Sequence, residues 1–419
     1  MALNAHMMFE DAVEGLTQLL NERLPLLEKL RIETISVGFG DDLVHLHQPP
    51  TFILRAANLP RLHTLMAINT NVDLDWPLCG NMRHLHLQLS DEEDELPSLP
   101  LSRFLHIVRN CPRLETLYVD GYIDVSTPAG TPPPEVLYLT GHTQLKEVWF
   151  REQPHTVSRI LSFLVIPAHV TTHLSAFIKD RPQAVAALRA MVPDDLAKLP
   201  LLGHATEIEI RHTTQYCPRL LADSPTGTGA HIELELLPTH GDSALGMVED
   251  DPDGVLLHVM IHSLDIFNIC PARSLQVDGN LRHITVESWH TAFDRFPNLE
   301  KLQIEDTEGL SMKAIHVMLR ALCARSRARP QDVVCPQLRR LRLRGQFLTL
   351  SKDMLEPVAR CLMVRAQSRA PRLRRLELDL FSADGAWDAG LLVHVRQVFA
   401  LMADDVDLNV RNASDWRLQ

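Results

Sequence analysis

Apolar side chains along this chain return in one phrase: proline, any residue, leucine, two residues, leucine, one residue, apolar. It reads Pro25-Leu27-Leu30-Ile32, Pro60-Leu62-Leu65-Ala67 and Pro112-Leu114-Leu117-Val119 in the first half. It returns as Pro297-Leu299-Leu302-Ile304, Pro336-Leu338-Leu341-Leu343 and Pro371-Leu373-Leu376-Leu378. Chance placement would give roughly 0.3 such phrases in a chain of this composition, so the recurrence is a repeat. Weaker copies without the proline are Met82-Leu85-Leu87, Leu145-Val148-Phe150 and Ala272-Leu275-Val277.

The spacing says what each unit is. The second leucine and the apolar residue two positions on share one face of a short strand. Proline has no N–H with which to continue a preceding helix, so it marks the turn into that strand. Helical spacing leads into several phrases: Phe104, Ile107, Val108 and Cys111; Trp289, Ala292, Phe293 and Phe296; Leu355, Val358 and Leu362. Helix, turn and strand in repetition predict an α/β fold, a leucine-rich-repeat solenoid with parallel strands on the concave side and helices on the convex side.

The expected organisation has three parts. Residues 1–150 carry N-terminal repeats and residues 272–419 carry C-terminal repeats. Between them, 151–271 is an irregular middle section of degenerate repeats or an insertion, with strand-like runs at Thr206–Ile210, His231–Leu236 and Val255–Ile261. An amphipathic helix over Ala386–Met402 is expected to cap the stack, because an open end would leave apolar surface in water.

The helix-end phrases carry a family resemblance. Cys111-Pro112-Arg113-Leu114-Glu115-Thr116-Leu117, Phe296-Pro297-Asn298-Leu299-Glu300-Lys301-Leu302 and Cys335-Pro336-Gln337-Leu338-Arg339-Arg340-Leu341 resemble the leucine-rich-repeat regions of F-box proteins, particularly the large group in basidiomycete fungi. Leu161-Ser162-Phe163-Leu164-Val165-Ile166-Pro167 is similar too, as is Val192-Pro193-Asp194-Asp195-Leu196 leading to Leu199-Pro200. The resemblance implies a substrate-recognition region of a ubiquitin ligase, with a protein as its partner. No LP-x-E segment of the F-box type is seen, since the chain opens on Val13, Leu16 and Leu20 before the first repeat. A Skp-type adaptor is therefore a partner only if an F-box is present elsewhere.

Composition narrows the setting. No run of about 20 apolar residues is long enough to span a bilayer, so no membrane partner is expected. Met1–Glu10 lacks a basic segment followed by an apolar core, which predicts no secretory signal. Seven cysteines without a CxxC pair read as reduced thiols, in the cytoplasm or nucleus.

Charge is unevenly spread. The net charge is −12, yet between Arg320 and Arg375 fourteen arginines and Lys352 stand against only Asp332, Asp353 and Glu356. On the expected strand, Arg339, Arg340, Arg342 and Arg344 point away from the apolar face, and Arg372, Arg374 and Arg375 extend the set. Such a patch would grip a phosphorylated or acidic partner, or nucleic acid, unless acidic residues such as Glu377 and Asp379 neutralise it within the protein. No aromatic residue interleaves with Arg339–Arg344 or Arg372–Arg375, which disfavours base stacking and nucleic acid.

A sharper candidate is the column between the two apolar positions of each strand. It runs Arg31, Met66, His86, Tyr118, Trp149, Gln303, Arg342, Glu377, and should project from the sheet. Tyr118 and Trp149 would be exposed neighbours of the type that dominates protein interfaces.

Motifs that carry chemistry are scarce in this chain. No GxSxG, HExxH, phosphate-cradling glycine loop or dinucleotide fingerprint is present, so neither catalysis nor a cofactor is expected. Among 21 histidines, His45 with His47 and His84 with His86 sit at i and i+2, a strand spacing that could hold a metal. Neither pair has a third ligand at matching spacing, and His84 and His86 read as outward strand positions. His258 and His262, on the expected strand, would lie about 13 Å apart, too far for one ion. Glu249, Asp251, Asp253 and Gly254 echo a calcium loop, but Pro252 interrupts it and Met260 stands at the twelfth position. No metal site is expected.

Overall fold

The computed structural model describes residues 1–7, 10–34, 50–89, 99–126, 134–178, 184–213, 216–224, 229–238, 255–306, 312–345, 352–382 and 389–412. The chain divides into two compact units, one comprising Met1–Lys179, Ala190–Leu201 and Ala230–Asp242, the other Asp180–Arg189, Leu202–Gly229 and Ser243–Gln419. Each is mixed α/β, built on a mostly parallel sheet with helices between the strands.

In the first unit the sheet runs Ala2–Met7, Lys29–Thr34, Thr64–Ile68, His84–Gln88, Thr116–Asp120, Glu147–Glu152, Thr171–Ile178, His231–Pro238, every neighbouring pair parallel. In the second it runs Glu207–Thr213, Ser274–Gly279, Lys301–Asp306, Arg340–Gly345, Leu373–Ser382, Ala403–Asn412, again parallel. The exception in that unit is Tyr216–Asp223, antiparallel to Glu207–Thr213. Only two residues separate those strands, far too few for the crossover that a parallel pair requires.

Five of the six leucine phrases, all but Pro371-Leu373, close the same turn. The N–H of the first leucine donates to the carbonyl three residues back: Leu62 to Leu59, Leu114 to Cys111, Leu299 to Phe296, Leu338 to Cys335. The next residue then donates to its counterpart in the neighbouring repeat. In the first unit these bonds run His63 to Glu28, Arg83 to His63, Glu115 to Arg83 and Lys146 to Glu115, at 2.7–3.0 Å. In the second they run Glu300 to Arg273, Arg339 to Glu300 and Arg374 to Arg339, at 2.7–2.8 Å. The turn thus locks the register before the strand begins, with these N–H groups hydrogen-bonded at the bend.

Alternation inside the strands then separates two faces. Leu30 and Ile32, Leu85 and Leu87, Leu117 and Val119, and Leu341 and Leu343 are all buried. Helix Pro154–Ser162 packs on Glu147–Glu152 and Thr171–Ile178, burying Val157, Ile160 and Leu161. Phe104 and Phe150 meet edge to face beneath the sheet at 6.3 Å. Helices Val286–Arg295, Met312–Leu322, Lys352–Gln367 and Ala389–Ala400 pack each on the next.

Two expectations about elements are corrected. Val255–His262 is a helix, not a strand. Its unbroken apolar run gives no period to read, and Leu257, Met260 and Ile261 are buried. The expected terminal helix spans Ala389–Ala400, but a further strand, Ala403–Asn412, follows it and extends the sheet beyond Leu373–Ser382. Among the described residues, no helix is long and apolar enough to cross a membrane.

Candidate functional site: an aromatic and histidine column on the parallel sheet

The in-register parallel pairing aligns one residue from each strand into a row. In the first unit, from the second strand onward, the row is Arg31, Met66, His86, Tyr118, Trp149, His173, Glu233. In the second it is Glu209, Gln276, Gln303, Arg342, Glu377, Asp407. All eight residues of the column read from the sequence occupy these rows. His173, Glu233, Glu209, Gln276 and Asp407 are the additions.

The two rows differ in chemistry. In the first unit, rings follow one another along the ladder, in two stacked pairs joined by a tilted contact. His86 stacks on Tyr118 at 4.1 Å between centroids, Tyr118 tilts towards Trp149 at 6.1 Å, and Trp149 stacks on His173 at 3.6 Å with planes 10° apart. Strand spacing near 4.8 Å is what permits this. Each contact is of a kind worth about 0.5–1.5 kcal/mol beyond its buried area. Tyr118 and Trp149 are consequently half-buried rather than freely exposed, because each ring covers its neighbour's face.

Burial, opposed by a hydrogen bond to Gln88, holds the His86 imidazole below its ordinary pKa. His84, two residues back on the same strand face, is also lowered, again chiefly by burial, and its Nδ1 meets the Thr116 hydroxyl at 2.9 Å. Burial and the nearby Asp120 carboxylate raise the Tyr118 phenol, whose hydroxyl donates to Asp120 at 3.2 Å. These groups are neutral near pH 7. They present ring faces and hydrogen-bonding edges, not charge.

His173 stands at the end of the stack among carboxylates. Its Nδ1 lies 2.7 Å from Glu233 Oε2, and its Nε2 lies 3.3 Å from Glu147 Oε1. His231 meets the His173 ring edge-on at 5.2 Å. His173 and Glu233 are buried, and His231 is half-buried. The sequence holds a trace of this cluster, since His231, Glu233 and Glu235 alternate with Ile232 and Leu234. What it lacks is the identity of the neighbouring strand: His173 is 60 residues away.

In the second unit the row is ionic and paired with itself. Arg342 donates to Asp379 Oδ2 at 2.8 Å and approaches Glu377 at 3.7 Å. Arg344 pairs with Glu305 at 3.2 Å, and Arg375 with Glu377 at 2.8 Å and Asp407 at 3.2 Å. Asp379, although buried, is held below its ordinary pKa by hydrogen bonds from Arg342 and Asn409. Gln276 donates to Glu209, which also pairs with Arg211.

The arginines between 320 and 375 therefore do not make one free cationic patch. Arg365 is buried, and Arg342, Arg344 and Arg375 are engaged by carboxylates of their own sheet. Arg339 lies in the turn row and Arg340 is exposed at the strand start; among the described residues neither has an ion-pair partner. Arg374 is exposed beside them.

His258 and His262 lie one helical turn apart, with rings 4.5 Å between centroids, which corrects the separation expected for a strand. His262 Nε2 meets the Ser288 hydroxyl at 3.1 Å. His45, His47 and the Glu249–Gly254 stretch lie outside the described residues. Cys79, Cys111, Cys270, Cys335 and Cys361 are buried free thiols, and burial pushes Cys270 and Cys335 up to about 12. Thiols so raised are not nucleophiles at pH 7.

The sequence matches no protein-family model, and no curated protein is significantly similar to it.

Proposed function

We propose that this chain is a leucine-rich-repeat solenoid whose sheet face binds a protein partner, in the manner of the substrate-recognition region of an F-box protein, and that it is not an enzyme. The observation that carries the reading is the row of stacked rings from His86 to His173. Repeating strands hold these side chains in register on a face with no competing backbone requirement. Rigid aromatic surface offered this way loses little entropy on binding, and Tyr and Trp are the residues in which interface energy concentrates.

The helix-end turns and the bonds between successive repeats support the leucine-rich-repeat assignment. Free, mostly buried thiols suit a reducing compartment, the cytoplasm or nucleus. A Skp-type adaptor joins the assembly only through an F-box segment supplied elsewhere. A nucleic-acid or phospho-ligand role for the basic segment draws less support, because Arg342, Arg344 and Arg375 already have carboxylate partners.

Affinity capture with the wild type and with Tyr118→Ala/Trp149→Ala tests the reading. A partner bound through this face should be lost, with each truncation costing about 2–4 kcal/mol of binding. Circular dichroism confirms that the variant is folded. An unchanged partner set overturns the face assignment, and salt-sensitive retention on RNA unaffected by the double variant overturns the protein-partner reading.

A further inference from the structure

We propose that His173, His231 and Glu233 form a divalent-metal site on the sheet of the first unit, for an ion of the zinc, cobalt or nickel type. The proposal goes beyond the partner-binding reading and stands independently of it.

Geometry brings the three together from two adjacent strands. His173 is the register partner of Glu233, and His231 precedes Glu233 by two residues, so it projects from the same face. One ligand atom from each lies within 4.8 Å of the others. Ligands at 2.0–2.2 Å around a tetrahedral ion sit roughly 3.3 Å apart. His173 Nδ1 and Glu233 Oε2, now 2.7 Å apart, need open by only about half an ångström, and a rotamer adjustment of His231 completes the set.

The surroundings favour an ion over a plain hydrogen bond. Trp149 lies flat on His173 and fixes its ring plane. Glu147, 3.3 Å from Nε2, is placed to accept the proton on the nitrogen opposite the metal. That carboxylate–imidazole–metal relay is how bound histidines are oriented and made more basic. Glu233 is buried, and a dication would neutralise the carboxylates beside it. Two imidazoles with one carboxylate suit zinc, cobalt or nickel rather than magnesium or calcium, which prefer oxygen ligands throughout. Three protein ligands leave a fourth position for water or for a donor from a bound partner.

The test is titration of the chelator-treated full chain with Co²⁺ and with Zn²⁺. One equivalent of Zn²⁺ should bind with micromolar or tighter affinity by calorimetry. Bound Co²⁺ should show visible d–d absorption and quench the fluorescence of Trp149, a response absent in Trp149→Phe. His231→Ala, at a half-exposed position, should weaken binding at least tenfold, and Glu233→Gln should do likewise. The proposal is overturned if no single-equivalent binding occurs, or if His231→Ala binds as the wild type does. It is also overturned if Co²⁺ binds without quenching Trp149; this last measurement needs no substitution among the ligands.

Discussion

Gly279 passes so close to the carbonyl oxygen of His212 that a Cβ at this position would collide with it. The two residues are register partners on adjacent parallel strands, and Gly279 adopts φ +145°, a conformation that side chains rarely take. Neither atom of the clash is the end of a flexible side chain, and Leu257 Cδ2 closes the remaining space. Gly279→Ala should therefore destabilise the second unit by about 2–4 kcal/mol, read as a lower urea midpoint. Gly15→Ala, on an exposed helical site with nothing within 4 Å, should instead stabilise by about 0.5–1 kcal/mol. Equal effects at the two sites would refute the close-approach argument.

Immediately before Gly279 sits a carboxyl that the fold holds protonated. Burial, reinforced by Glu305 and resisted by Arg211, raises Asp278 from its ordinary 3.8 to about 7, and among the described residues its Oδ1 has no hydrogen-bond partner. Above pH 4 the unfolded chain releases this proton, whereas the folded chain keeps it until near pH 7. The unfolded state then binds fewer protons, so stability falls as pH rises through that window. Asp278→Asn removes the cost of ionisation. At pH 8 the variant should be more stable by about 1–2 kcal/mol, allowing for partial exposure, and near pH 4 the gain should vanish. Thermal melts at both pH values check it; a gain of the same size at both would contradict the titration.

The turns and the pairing of successive phrases were legible, and the pairing through the irregular middle was not. Cys111-Pro112-Arg113-Leu114 announces its turn because the turn closes within the phrase, through Leu114 N–H to Cys111 O. The column from Arg31 to Glu377 followed because parallel strands with equal turns must share register. Val255–His262 misled because a run buried on several sides has no amphipathic period, and its valines and isoleucine favour strands. Val406, Leu408 and Val410 in Ala403–Asn412 do alternate, so that last strand was readable in principle. Arg342 with Asp379 joins two successive phrases and was within reach of the same reading, whereas His173 with Glu233 depends on which strands of the irregular middle become neighbours, and no spacing along the chain reports that.

Arg365 is the clearest case of a charge whose role reverses between sequence and structure. It looked like part of a basic segment, yet it is buried, and burial lowers its pKa. From the last turn of helix Lys352–Gln367 its guanidinium donates to Leu322 O at 3.2 Å, Val334 O at 3.0 Å and Cys335 O at 2.8 Å. The first carbonyl closes helix Met312–Leu322, and the other two belong to the turn where Cys335 adopts φ +46°. One planar fork thus satisfies the end of a helix and a strained bend together, which a single ammonium cannot reproduce. Arg365→Met keeps an apolar stem but has no donors. It takes the guanidinium from Leu322 O, Val334 O and Cys335 O, of which only Cys335 O keeps the turn's own donor, Leu338 N–H, and should cost about 3 kcal/mol. Arg365→Lys should recover only part of that loss, and neither variant should alter the salt dependence of any anion binding. Urea unfolding of the three proteins measures it: a lysine variant as stable as the wild type would mean that charge alone, not the fork, holds this junction.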